Sequence, residues 1–201
     1  MLSDEIRNRI EKATIRLKTG GQGVVVPGNM ILTAAHCLTA GELAFMGVQD
    51  QPLQEIDCSG NKIMAQIYTV EPMRDIAVLG APDSQIFARE CLAFEKAIKR
   101  IEPVEIMTDD FELPDEIPFE ICSHERTWIK GTAQQGYDCE ASLLITATCE
   151  IKGGTSGGPV VDQEGRLLGV VSTFSKGIGE ISLPHLALPV WIVRQILECQ
   201  T

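Results

Sequence analysis

The chain has 201 residues, is 44% hydrophobic, and sets seventeen basic against twenty-eight acidic residues for a net charge of −11. That length supports a sizeable core. The acidic balance argues against partners that need clustered cations, namely nucleic acid and anionic membrane surfaces.

In chain order, Ser3 followed by Asp4 and Glu5 can start a short helix with Ile6 and Ile10 on one face, and Thr19-Gly20-Gly21 ends it. Charges from Asp4 onward leave no apolar core for a secretion signal, so a cytoplasmic protein is expected. No run nears the roughly 20 apolar residues of a membrane span. Eighteen glycines and ten prolines then divide the chain into short apolar runs. "GVVVP", "MILTAA", "ELAFMGV", "KIMAQIYTV" and "DIAVLGA" read as strands between turn residues. Residues 84–100 read as partly helical or as a connecting crossover. "EPVEIMT" opens a second series, continued by "PFEICSHE", "TWIKGTA", "ASLLITATCEI", "GPVVD", "RLLGVVSTF" and "ISLPHLAL". A C-terminal helix over 189–199 follows, with Pro189 in its first turn and Trp191, Ile192, Ile196 and Leu197 on an apolar stripe. The pattern predicts two sets of about six strands with a helix at either end. Lobes over 15–90 and 103–188 would lie within one domain of 1–201.

The seven cysteines, Cys37, Cys58, Cys91, Cys122, Cys139, Cys149 and Cys199, are odd in number, irregularly spaced and without a CxxC pair. They read as free thiols in a reducing compartment. No metal or other cofactor is expected. A zinc site from distant cysteines is the alternative, and "CSH", with Cys122 and His124, is the nearest thing to one.

Chemistry concentrates in "GGTSGGPVV", residues 153–161. A nucleophilic hydroxyl needs an exposed tight turn with backbone N–H groups aimed at a developing oxyanion, and glycines permit both. Ser156 is the nucleophile candidate, with the N–H groups of Gly154 and Ser156 as oxyanion donors. A serine needs a base. His36 in "TAAHC" ends a strand among small residues, whereas His124 lies in a polar stretch and His185 follows a proline. Asp75 in "RDIAVLGA" stands at a strand's entrance, where a carboxylate could orient that imidazole or simply serve a turn.

"TAAHC", "RDIAVL" and "GGTSGGPVV", in that order, resemble the trypsin-like (chymotrypsin-fold) serine proteases. The resemblance runs from about Gly20 to the final helix. It implies an all-β fold of two six-stranded antiparallel barrels with short terminal helices. It also implies peptide hydrolysis through an acyl-enzyme on Ser156, with His36 as general base and acid and Asp75 orienting it. Two departures point to the bacterial HtrA-type branch rather than the secreted enzymes. Residues 1–36 contain no cysteine to bridge Cys37, and Thr155 replaces the aspartate that receives a newly cleaved N-terminus in the secreted members. By resemblance, Glu150 lies near the base of the primary specificity pocket, although it could instead pair with Lys152. The strand carrying Ser172, Thr173 and Phe174 offers backbone groups to an extended substrate. The partners expected are a peptide or protein substrate and a recruiting or activating protein. The alternative is a latent or non-catalytic peptide-binding module on the same fold.

Overall fold

The computed structural model describes residues 2–38, 53–58, 60–107, 116–135, 142–175 and 178–200. The predicted strand "ELAFMGV" and Cys139 lie outside them. Helix α1 (Asp4–Ala13) is capped by Ser3, whose hydroxyl accepts from Ile6 N, and carries Asp4 and Glu5 in its first turn, where the helix dipole favours them. It ends earlier than expected, because Thr14 turns extended and begins strand β1 (Thr14–Leu17). Strands β2 (Gln22–Val26), β3 (Met30–Thr33), β4 (Leu53–Cys58), β5 (Asn61–Glu71) and β6 (Ile76–Gly80) complete a closed antiparallel barrel in the order β1-β2-β3-β6-β5-β4.

Helix α2 (Ala88–Ile98) follows, with Cys91, Phe94 and Ile98 buried. The segment after it, expected to open the second barrel, is instead an extended lace. Val104 N donates to Val25 O of the first barrel, while Leu167 N donates to Glu105 O and Met107 N to Leu167 O of the second. Its one bridge, Ile106 to Leu167, is isolated and parallel. Strands β7 (Ile117–Cys122), β8 (Trp128–Gln135), β9 (Ser142–Ala147), β10 (Pro159–Val161), β11 (Leu167–Ser175) and β12 (Ile178–Ser182) close the second antiparallel barrel in the order β10-β11-β12-β9-β8-β7. The short helix α3 (Pro184–Ala187) and helix α4 (Val190–Glu198) end the chain. On α4 the buried positions are Ile192 and Ile196, while Trp191 is 53% exposed and lies off the stripe assigned to it.

The first core draws Ile10 and Ala13 from α1, the inner faces of β1–β6, Phe94 and Ile98 from α2, and Ile192 and Ile196 from α4. It also takes in Cys122, Val161, Leu167 and Val170 of the second barrel, so apolar packing continues from one barrel to the other. A second cluster, including Phe119, Ile121, Ile145 and Leu168, fills the second barrel. No helix among the described residues is long and apolar enough to cross a membrane.

Candidate active site

Strand β3 delivers its chain end to the junction of the barrels. Immediately after it, Ala35–Cys37 form one 3-10 turn, which swings His36 outward while Cys37 stays buried. Asp75 closes the turn before β6 with a left-handed backbone, φ 50°. Aspartate tolerates that conformation better than most residues. The geometry is fixed from both ends, since Asp75 O accepts from Ala35 N at 3.1 Å and Asp75 Oδ1 accepts from His36 N at 2.9 Å. Asp75 Oδ2 then pairs with His36 Nδ1 at 2.7 Å and accepts from the Ser172 hydroxyl at 2.6 Å. With Nδ1–H donating to the carboxylate, the neutral ring presents the lone pair of Nε2. The imidazole is 47% exposed.

The second barrel contributes the loop 153–158 between β9 and β10. It is seated on the first barrel: Gln22 N donates to Ser156 O at 2.8 Å. Gly157 has φ 76°, and a Cβ there would collide with Gln22 O, Thr33 Oγ1 and Ala34 N. Only glycine lets the serine turn approach the end of β3 so closely. Gly157 N donates to Val171 O and Gly158 N to Thr155 O, whereas Gly154 N and Ser156 N meet no acceptor among the described residues. Ser156 Oγ likewise makes no hydrogen bond among them. With Nδ1 carrying the ring proton, the Cys37 thiol donates to His36 Nε2 at 3.6 Å. Burial, with the Asp75 carboxylate adding to it, pushes that thiol up to about 12.

The structure thus joins His36 and Asp75 directly and places the Ser156 turn against the strand end that carries His36. Ser172, singled out for its backbone, aims its hydroxyl at Asp75. Sequence reading missed that contact because residue spacing does not reveal which way a side chain turns beside a strand irregularity, and β11 shifts register between Val171 and Thr173. Strand β10 pairs with β11 only over Leu167–Val170, so the edge of β11 facing β10 is unpaired from Ser172 onward among the described residues. Thr173 is exposed on that stretch, and the Phe174 side chain lies outside what is described.

Glu150 is exposed and does not pair with Lys152, which forms a two-pronged ion pair with Glu125 at 2.8 and 3.0 Å. Glu150 lines a cavity of about 330 Å³ together with His124, Glu125, Cys149, Lys152 and Thr155. A second missed contact lies at its wall. Thr155, fully buried, accepts a hydrogen bond from His124 N through its hydroxyl at 3.2 Å, and the His124 ring packs on Gly154. The six described cysteines are free, Cys37 among them, and no group of three or more His, Cys, Asp or Glu among the described residues is arranged to hold a metal ion.

The family profile described as the trypsin-like peptidase domain matches residues 21–170. The fold is similar to the crystal structure of the Rv3671c protease in its inactive form, with 16% identity, a TM-score of 0.56, and coverage of 98% of this chain and 93% of that one. The active form of Rv3671c from M. tuberculosis gives 15% identity and a TM-score of 0.58, covering 96% and 83%. The HtrA-type protease AlgW, solved with a decapeptide, gives 21% identity and a TM-score of 0.57, covering 89% of this chain and 51% of that one. No curated protein matches the chain.

Proposed function

The chain belongs to the trypsin-like peptidase domain family, and on that premise we propose that it is a serine endopeptidase using Ser156, His36 and Asp75. His36 Nε2 takes the proton of Ser156 Oγ as that oxygen attacks the scissile carbonyl. The N–H groups of Gly154 and Ser156 stabilise the oxyanion. The imidazolium, steadied by Asp75, returns its proton to the leaving amine, and water then releases the acyl group by the reverse sequence. The substrate is a peptide or protein segment laid along the unpaired edge of Ser172–Phe174 as an added strand. Glu150 remains a candidate for selecting its side chain.

The observation that carries this reading is the 2.7 Å pairing of His36 Nδ1 with an Asp75 carboxylate that accepts two further hydrogen bonds, from His36 N and Ser172 Oγ, while the Asp75 carbonyl accepts one from Ala35 N. A histidine serving only the core would not be nearly half exposed on such a mount. A fluorophosphonate probe is expected to label the wild type at Ser156, and Ser156→Ala or His36→Ala to abolish labelling. A folded wild type that takes no label under any condition sinks the proposal. The unbonded Ser156 hydroxyl favours a second reading, a latent form of the same centre. Hydrogen bonds at such centres often tighten only with substrate bound. Labelling that appears only when a peptide or partner protein is added would select it.

A further inference from the structure

Strand β2 begins on Gln22, whose side chain sits where the fold asks for an apolar one. Residues Gln22–Val26 are all buried, and the other four are glycine and valines. The carboxamide is sealed from water, yet neither Oε1 nor Nε2 meets a hydrogen-bond partner among the described residues. Burying an unpaired donor and acceptor costs stability that an apolar side chain of similar shape would not. The strand cannot shift to relieve them. Gln22 N donates to Ser156 O, Gln22 O accepts from Thr33 Oγ1, and β2 pairs with β1 on one side and β3 on the other.

The amide lies against the turn Thr155–Gly158, which Gly158 N closes by donating to Thr155 O at 2.9 Å. Ser156 is the second residue of that turn, and Gly157 the third, with the positive φ that a type II turn needs there. A Cβ on Gly158 would stand 2.6 Å from Gln22 Oε1 and 2.8 Å from Thr155 O. The carboxamide and the closing bond of the turn therefore share one small space.

We propose that Gln22 is a positioning residue for Ser156, acting by inserting its carboxamide into that closing bond. Nε2 then donates to Thr155 O while Oε1 accepts from Gly158 N. One hydrogen bond breaks and two form, both buried amide atoms are paired, and the turn widens at the residue that carries the nucleophile. Glycines at 153, 154, 157 and 158 let the backbone follow. The role rests on the protease reading. In the arrangement described, Ser156 Oγ makes no hydrogen bond among the described residues and the Cys37 thiol donates to His36 Nε2, so the compact turn is the resting form. The widened turn delivers the hydroxyl to the base, and reactivity follows the fraction of molecules with the amide inserted.

Gln22→Met tests this, because methionine fills a similar volume with nothing to donate. In the wild type, nitrogen-15 relaxation dispersion or a second set of signals is expected at the Ser156, Gly157 and Gly158 amides and the Gln22 side chain, but not at Val24 or Val25. Both signatures should vanish from the turn in Gln22→Met. The maximal rate of fluorophosphonate labelling should fall about tenfold with half-saturation unchanged, while the urea midpoint holds or rises. Gln22→Leu should behave alike, so that a packing fault peculiar to methionine is recognised. A midpoint that falls in both variants makes Gln22 a structural residue and overturns the proposal. So does a wild-type turn with one arrangement, as a fixed water bridging the amide would give, or exchange that survives in both variants. Labelling that is unchanged or faster in both, despite lost exchange, overturns the positioning role. Exchange abolished by the substitutions in a protein that never takes label supports the insertion while sinking the protease reading.

Discussion

Thr155 illustrates how much one hydroxyl can decide. It is completely buried, directly precedes Ser156, and its oxygen accepts the N–H of His124 from the turn between β7 and β8. That turn is itself anchored, because Arg126 donates to the carbonyls of Glu11 and Thr14 at the end of α1. The loop bearing the proposed oxyanion donors is therefore tied to the β7–β8 turn through one side-chain oxygen, in addition to its backbone hydrogen bonds to Gln22 and Val171. Thr155→Val keeps the volume and removes the acceptor. One such hydrogen bond is worth about 1 kcal/mol, so kcat should fall about five- to tenfold with KM little changed, while Thr155→Ser restores it. A Val variant with wild-type kcat would show that the hydroxyl merely fills space.

Among the elements, the docking of α1 is the most exposed to a single change. Its Arg7 pairs with Glu120 of β7 at 2.6 Å, and Leu2 N donates to the same carboxylate, which is otherwise sealed from water. Arg7 also lies over the Trp128 ring, whose Nε1–H donates to Glu11. Arg7→Ala leaves a buried carboxylate without its cation, a change that costs about 3 kcal/mol. Urea midpoints should show that loss, and Glu120→Gln on the same background should recover part of it. The elements also separate what was legible from what was not. Strands β2, β3, β6 and β10 read clearly because they are apolar on both faces. Strand β1 was hidden because Ile6, Ile10, Ala13 and Leu17 keep a helical spacing straight through the helix end at Ala13. Strand β4 was hidden because one of its three buried positions is Gln54, which breaks the apolar alternation with Ile56 and Cys58. The lace around Ile106 looks like a strand for the opposite reason. Its apolar residues are buried between the barrels without belonging to a ladder. At the candidate site, residue type and chain order pointed to the pairing of His36 with Asp75, whereas the contacts of Ser172 and Thr155 depend on side-chain direction and were not readable.

At the scale of the whole molecule, the core of the first barrel takes in Cys122, Val161, Leu167 and Val170 of the second, and the proposed site draws on both, so titration in either should be felt by both. Two buried thiols make this testable. Burial, with Asp57 nearby, pushes Cys58 in the first barrel up to about 12. Burial also raises Cys122 in the second to about 11, despite the opposing pull of Arg126. Unfolding returns both towards 9.0. Below that pH both states hold their protons, and the contribution to stability is complete. Between about 9 and about 11–12 the unfolded chain has released protons that the folded one retains, so stability falls as pH rises through that window. Urea midpoints measured at intervals from pH 8 to 11 should therefore decline. Tyrosines and lysines titrate in the same range, so the informative quantity is the difference from Cys58→Val and Cys122→Val. Each variant should show a shallower decline than the wild type. If the two barrels unfold as one unit, either substitution flattens the same single transition. Two separable transitions, each answering to only one of the variants, would show that the apolar packing continuing from the first barrel into the second does not couple them.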